Sequence, residues 1–545
     1  MRSEYISTRA MLDNYTDPEG STKRNKGRFE IKSGFRSGLS KYDASKHTII
    51  AGEDCKYDPQ NCSGVPLDFD VENSVVYVEG TDSHTILIGS TGSKKSRLVV
   101  IPTVRILSSD DENMVICDPK GEIYRRTSGF LYERGYNVHM INLREPQKGD
   151  GWNILEIPYQ FYCDGDIDKA CELINDMTIN LMPIQAKDPY WDYSARDVLF
   201  GLILLLFNIC MEKGIGSKLA NMHGVLMLRE ELFSSTDHDI IQQKILWKYA
   251  ERNELIRMRL IGSVIAPEKT LSCIISTFDQ HMSCFSLQPK VISMLEKSTF
   301  EVNDFGFGRN AVYLIMPDEK TTFHKLITVF LKQIYEVMID NAFNQTKDNR
   351  FPVRINYILD EFSSLPTISD FPQMIAASRS RNIRFLLVVQ SKHQLRQRYG
   401  EETDTIMANC MNWIFLTSRE LEVLREISEL SGTTDNNRTP LISVSRLQHL
   451  NKEKGECVVF NGRKLPYISM IPDIDFYDGK RYNTMKMTER SKMDYSEYSS
   501  GYFEKIVSAH SIDDNMDVYK GLEEEFNQLY SSLNVTDNDS SDGQE

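Results

Sequence analysis

The ten cysteines of this 545-residue chain form no C-x-x-C pair and show no metal-ligand spacing. A cysteine-based metal centre is thereby set aside. Cys117, Cys210 and Cys457, each inside an apolar run, read as buried thiols of a reducing compartment. No secretory signal pattern opens the sequence. Long hydrophobic runs are also missing. The most apolar stretch, Val198–Cys210, is short for a membrane crossing and follows Arg196-Asp197, so it is expected as a core helix. Nor is there an excess of positive charge. Lys and Arg number 63 against 78 Asp and Glu, a net charge of −15, which argues against a generally basic nucleic-acid-binding surface. It leaves room for a small positive pore or groove. The charge is uneven: residues 511–545 carry ten carboxylates against Lys520 alone, whereas the first 46 residues hold ten Lys/Arg and six acids.

What is present is a soluble-protein composition and enough length for two domains with tails. The chain is organised around Thr85-Ile-Leu-Ile-Gly-Ser-Thr-Gly-Ser-Lys-Lys-Ser96. An apolar strand, a glycine-containing turn and a helix start form the context of a phosphate-binding P-loop. Unpaired N–H groups at a helix start receive phosphate. The loop Gly89, Ser90, Thr91, Gly92, Ser93, Lys94, Lys95 and Ser96 would bind nucleotide, with Lys95 on the terminal phosphates and the Ser96 hydroxyl on Mg2+. One position departs from G-x-x-x-x-G-K-[ST]: Lys94 stands where glycine normally lets the backbone approach the phosphates. Its side chain would either obstruct the pocket or leave it as a second positive charge.

The partner element is Arg354-Ile-Asn-Tyr-Ile-Leu-Asp360-Glu361, a hydrophobic strand ending in two carboxylates, the Walker B pattern. Asp360 would hold Mg2+ and Glu361 would polarise the attacking water. Both must lie at the carboxyl ends of parallel strands, beside the P-loop. A further strand, Ile383 to Gln390, ends in a polar residue placed to contact the γ-phosphate or the water. Arg379, Arg381 and Arg384 precede that strand, as transition-state cations acting across a subunit boundary or as an ordinary basic loop. Asp118 and Glu122 read equally as nucleotide sensors or as turn and cap residues, and Trp191 reads as a packing anchor.

Strands and helices alternate through residues 65–143 and again through 310–460, which predicts a parallel sheet covered by helices. The fold class is therefore α/β, a nucleotide-binding domain carrying an inserted, mostly α-helical domain. The expected division is a polar arm over 1–64, a first nucleotide-binding part over 65–212, the insertion over 213–304, a second nucleotide-binding part over 305–472, and an extension over 473–545 with an acidic, disordered end. A long charged helix is expected near 238–260. Lys392, Arg396 and Arg398 are candidates for a local positive lining, or form a solvated helix face.

In combination these stretches resemble the VirD4/TraG family of type IV secretion coupling proteins, ATPases related to the FtsK and RecA-like ring motors. Carrying the resemblance are His84–Gly92, Asp118-Pro-Lys-Gly-Glu-Ile-Tyr124, Thr127-Ser-Gly-Phe130, Gly151-Trp-Asn-Ile-Leu155 and Asp188-Pro-Tyr-Trp191 with Ala195-Arg196. Met316-Pro-Asp-Glu319, Leu359–Leu365 and Ser380–Arg384 through Gln390-Ser391 complete it, so that it spans roughly residues 65–470. The resemblance implies a homo-hexameric motor using ATP and Mg2+, in which Lys95, Glu361, Gln390 and Arg379 carry catalysis, Arg379 as an arginine finger, and Ser96 and Asp360 hold the metal. It implies delivery of DNA with its relaxase, or of effector proteins, to a secretion channel, with residues 213–300 reading cargo. The family's amino-terminal membrane-spanning pair is not seen in the sequence, which implies a cytoplasmic motor docked on a separate membrane protein. Two other readings stand beside it: a soluble DNA translocase outside secretion, and a nucleotide-responsive cargo adaptor without turnover, which Lys94 favours.

Overall fold

Strands covered on both faces read as continuous apolar runs rather than alternating ones, and this chain has several. In the computed structural model the strands are β1 Ser40–Asp43, β2 Thr48–Ile50, β3 Val65–Asp70, β4 Val75–Glu79, β5 Thr85–Gly89, β6 Asn113–Asp118 and β7 Asn137–Asn142. They continue with β8 Asn310–Ile315, β9 Ile355–Leu359, β10 Ile383–Val389, β11 Asn412–Thr417, β12 Glu456–Asn461 and β13 Tyr467–Met470. The structure describes residues 34–56, 58, 60–184, 187–233, 253–286, 288–317, 319, 322–433, 439–462, 464–477, 482–487, 489, 490, 502, 503 and 505. β5, β6, β8, β9 and β10 are buried at every position, and they form the middle of one nine-stranded sheet.

The strand order is β13-β12-β11-β5-β10-β9-β6-β8-β7. From β11 to β7 every pairing is parallel, whereas β12 and β13 extend the edge in antiparallel fashion. Parallel neighbours require crossovers, and helices supply them on both faces. Ile101–Leu107 and Glu122–Glu133 lie over one face with Leu87, Ile116 and Val388. His324–Gln345 and Phe371–Ser378 lie over the other with Ile86, Cys117 and Leu387.

Between β7 and β8 the described residues are helical: Glu156–Cys163, Ile167–Leu181, Tyr190–Lys213, Met222–Phe233, Glu254–Val264, Glu268–Ser286 and Pro289–Met294 are the longer pieces. The apolar stretch expected as a core helix is the middle of Tyr190–Lys213. That helix is long and apolar enough to cross a membrane, but most of it is buried against its neighbours in the same core as the sheet. Arg259 lies over the Phe200 ring and pairs with Asp197 at 2.6 Å, tying this helix to Glu254–Val264. The charged helix expected near 238–260 falls in part on residues 234–252, outside the described residues; in its described part a helix begins only at Glu254, behind the extended cap residue Asn253, and runs to Val264.

Two stretches differ from the sequence expectation. Residues 40–50, expected within a polar arm, form a hairpin on β4, giving a small antiparallel sheet of order β2-β1-β4-β3. Glycines and polar residues masked that hairpin; Tyr42 is its buried anchor, packing with Phe69, Val76 and Tyr477. Past residue 472 the hydrophobic rhythm weakens, yet the described residues 473–477 and 482–487 pack against the core. Ile474 and Tyr477 are buried, and residues 482–487 run along Glu122–Glu133, where Met485 N–H donates to Ser128 Oγ at 3.2 Å. That contact is set by tertiary approach: a Cβ on Gly129 would lie 1.8 Å from the Asn483 carbonyl oxygen. Residues 1–33 of the arm expected over 1–64, and the expected acidic, disordered end, lie outside the described residues.

Candidate nucleotide-phosphate site

The parallel register decides which strand ends meet. Ile88 pairs with Val389, Leu387 with Leu359, and Leu359 with Cys117. Gly89, Gln390, Asp360, Glu361 and Asp118 therefore share the carboxyl edge of adjacent strands, the place where open α/β sheets take ligands. β10 lies between the P-loop strand β5 and the Walker B strand β9. Gln390 uses that central position. Its Nε2 donates to Glu361 Oε2 at 2.6 Å, and its Oε1 accepts from Thr91 Oγ1 at 3.2 Å, so one side chain links the two motifs.

The loop after β5 has the shape of an anion receptor. Gly92 and Lys94 both adopt left-handed backbone, with φ of 78° and 66°. The N–H groups of Gly92, Lys94 and Lys95 find no backbone acceptor among the described residues. The Ser93 hydroxyl is buried with no hydrogen-bond partner among them. Alternating backbone of this kind turns successive N–H groups toward one point, and a buried hydroxyl without a partner costs free energy until a ligand supplies one. The following turn, Ser96–Val100, is wider than an α-helix, with Ile101 N–H bonding to the Ser96 carbonyl. Such turns are frequent at functional sites.

Lys95 is almost fully buried, and its Nζ donates to the Gly89 carbonyl at 2.7 Å. Burial pulls its pKa down, opposed by Glu361 and Asp360. Asp360 is pushed up to about 7 by burial, then by the neighbouring Glu361 charge. Glu361 itself takes left-handed backbone, φ 55°, with its N–H on Asp360 Oδ1 at 3.1 Å. A buried carboxylate needs a cation or a proton, and the pair is set to receive one. Among the described residues no three His, Cys, Asp or Glu side chains gather to hold an ion unaided.

Asp118 resolves toward the cap reading. Its carboxylate accepts the N–H groups of Glu122 at 3.0 Å and Tyr124 at 2.8 Å, starting the helix Glu122–Glu133. Burial lifts its pKa to about 6 against those two bonds. Trp191 is half-buried against the core and edge-on to Tyr190.

Lys94 does not block the loop. Its side chain leaves it and pairs with Glu453, in the turn before β12. The two lie 359 residues apart in sequence, and the pairing of β12 beside β11 and β5 brings them together.

Arg379 does not join the cluster. It sits in the short turn Arg379–Arg381 leading into β10, at the amino edge of the sheet, and holds Asp82 Oδ1 at 2.9 and 3.3 Å. The seven residues of β10 put roughly 20 Å between it and Gln390. Arg384 is fully enclosed, bonded to Glu112 and Asn356. Lys392 pairs with Glu426 at 2.7 Å, Arg396 with Asp404 at 2.9 Å, and Arg398 donates to the Ser363 carbonyl at 3.3 Å.

The family model described as "Type IV secretory system Conjugative DNA transfer" matches residues 37–449. The chain belongs to this family. Within this conjugative DNA transfer family, a conjugal transfer protein TraG of Escherichia coli is 23% identical over 378 residues, 64% of this chain and 55% of that protein. TraG of Rhizobium radiobacter is 20% identical over 399 residues, 71% of this chain and 59% of that one. The chain thus spans little more than half the length of these curated relatives. Among solved structures, the unbound bacterial conjugative coupling protein TrwBdeltaN70 superposes with a TM-score of 0.54 at 15% identity, over 81% of this chain and 94% of that one. Plasmid coupling protein TrwB in complex with ADP and Mg2+ superposes with a TM-score of 0.52 at 14% identity, over 78% and 91%. The shared fold is a mixed α/β, RecA-like core with an inserted helical region.

Proposed function

We propose that this protein is an ATPase of the coupling-protein type, delivering a DNA–relaxase or protein substrate to a type IV secretion channel. The observation that carries the reading is the Gln390 side chain joined at once to Thr91 of the P-loop and to Glu361 of Walker B. A purely structural strand end has no need of that bridge, whereas a γ-phosphate sensor must touch both.

In this reading the N–H groups of Gly92, Lys94 and Lys95 and the Ser93 hydroxyl receive phosphate oxygens, and Lys95 moves from the Gly89 carbonyl onto the terminal phosphates. Ser96 and Asp360 would hold Mg2+, which neutralises phosphate charge when bound. Glu361 orients the attacking water, with Gln390 holding its carboxylate. TrwB, with its ADP and Mg2+, offers the parallel. Arg379 at the opposite edge serves a neighbouring subunit's phosphate in a homo-hexamer, where its Asp82 partner holds it ready. Residues 65–212 and 305–472 form the motor and 213–304 the cargo reader, with 1–64 and 473–545 as extensions. The protein works at the cytoplasmic face of the membrane, against channel components.

Isothermal titration with Mg2+ and a non-hydrolysable ATP analogue tests the site. Lys95→Ala should lose binding, whereas Glu361→Gln should bind and not turn over ATP. Equal affinity in wild type and Lys95→Ala would remove the assignment. Mixing Glu361→Gln with Arg379→Ala subunits should restore part of the turnover if sites are shared, and full activity of an isolated monomer would refute the hexamer.

A further inference from the structure

We propose that Glu453 is a positioning residue for the phosphate loop, and that the β12–β13 edge holds this loop in its anion-receiving shape through Lys94. The proposal rests on the nucleotide reading above and adds how that site is set.

A glycine at position 94 would adopt φ of 66° freely; a lysine does so against its own Cβ. Something outside the loop must therefore favour that conformation. The structure supplies an ammonium–carboxylate pair from Lys94 to Glu453. One turn on, Arg97 reaches the same edge. Its Nε lies 3.1 Å from Asp473 Oδ2, and its Nη2 bonds Asp473 and, at 3.1 Å, Asp475. Ser90 N–H is fixed to the Thr417 carbonyl of β11 at 2.9 Å. The loop is thus moored to β11 at its start and to the antiparallel edge at residues 94 and 97.

The mooring post is itself rigid. Asn451 Oδ1 accepts the N–H groups of Glu453 at 3.1 Å and Lys454 at 3.2 Å, fixing the turn that presents the carboxylate. Gly455 then takes left-handed backbone, φ 70°, so close to β13 that a Cβ would lie 2.0 Å from the Ile471 carbonyl oxygen. The acids from this edge also neutralise Lys94 and Arg97 locally, leaving Lys95 as the loop cation aimed at the site. Lys94 contributes its N–H group and its backbone shape, and its ammonium serves the edge.

A double-mutant cycle separates this role from that of a second phosphate cation. The probe is Mg2+ with a non-hydrolysable ATP analogue, and the variants are Glu453→Gln in the native and Lys94→Gly backgrounds. Glu453→Gln should weaken binding about threefold in the native background, the size an exposed ion pair supports, and should be silent beside Lys94→Gly. Lys94→Ala, which keeps the Cβ and loses the partner, should bind more weakly than Lys94→Gly. An equal Glu453→Gln effect in both backgrounds, or equal impairment by Ala and Gly at position 94, overturns the proposal. Hydrogen exchange of amides 90–95 without nucleotide gives a second readout. It should rise in Glu453→Gln only when Lys94 is present, and unchanged exchange there overturns the mooring even if nucleotide binds. Failure of the wild type to bind, with the exchange result as expected, overturns the nucleotide reading and leaves the mooring standing.

Discussion

Replacing Glu112 with glutamine should be among the most damaging single changes available outside the phosphate site. Glu112 is fully buried at the amino edge of the sheet, immediately before β6. Its Oε1 lies 3.3 Å from Arg354 Nη1, its Oε2 lies 3.1 Å from Arg384 Nη2, and Asn356 Nδ2 donates to Oε2 at 2.7 Å. Both arginines are buried as well, on or beside β9 and β10. Other donors go to the Asn382 and Asn356 side chains and to the carbonyls of Ser63, Glu79, Gly80 and Thr81, so the cluster ties three central strands to the segment feeding β5. Burial and Arg354 already pull the Arg384 pKa down to about 10, a sign that its charge is held under tension. Glu112→Gln removes the carboxylate that pairs with both guanidinium groups. Breaking a buried pair in this way costs about 3–5 kcal/mol, a large part of the 5–15 kcal/mol typical of folded proteins. Urea denaturation followed by intrinsic fluorescence reads the loss. Arg354→Met with Glu112→Leu and Arg384→Met should recover part of it, because the unpaired charges go while the freed carbonyls remain. A Glu112→Gln loss under about 1 kcal/mol would refute the charge argument.

His84 accepts the Phe385 N–H on Nδ1 at 3.0 Å and meets the Ile375 carbonyl through Nε2 at 2.8 Å, and burial holds its pKa down at about 4. The unfolded chain takes up that proton below about pH 6.5, so the contribution of this group is complete above that pH and lost as pH falls toward 4. The stability difference between wild type and His84→Gln should therefore shrink by about 3 kcal/mol over that window; a constant difference refutes it. Gly129→Ala drives a Cβ into the Asn483 carbonyl and should release residues 482–487 from Glu122–Glu133. With the bonds from Met485 N–H to Ser128, Tyr124 OH to Met485 O and Thr484 to Arg125 O go about 1 kcal/mol each, and limited proteolysis should newly cut there. Lys392→Ala should leave nonspecific DNA affinity nearly unchanged, since Glu426 already occupies its ammonium; a clear drop in a salt-dependence titration would make it a phosphate contact.

The sequence alone determined the strand and turn of Thr85–Ser96, the strand ending at Asp360-Glu361 and the strand ending at Gln390, because each is a local pattern: an apolar run buried on both faces, then a polar end. It determined the helical character between β7 and β8 for the same reason, since helical periodicity is written within one segment. The hairpin at residues 40–50 and the packed segment 482–487 were not legible, because their stability comes from partners far along the chain rather than from their own hydrophobic rhythm. The meaning of Lys94 was open for that reason too. Position 94 showed only a missing glycine; the antiparallel return of β12 beside β11 brings Glu453 to it, and strand order cannot be read from a single strand. Tertiary structure likewise separated residues that neighbour one another in sequence. Arg379 and Gln390 bracket the same strand, yet β10 is a rigid spacer, so one faces the phosphate edge and the other faces away. Long-range placement of this kind depends on which strands pair, and pairing is decided by the packing of the whole sheet.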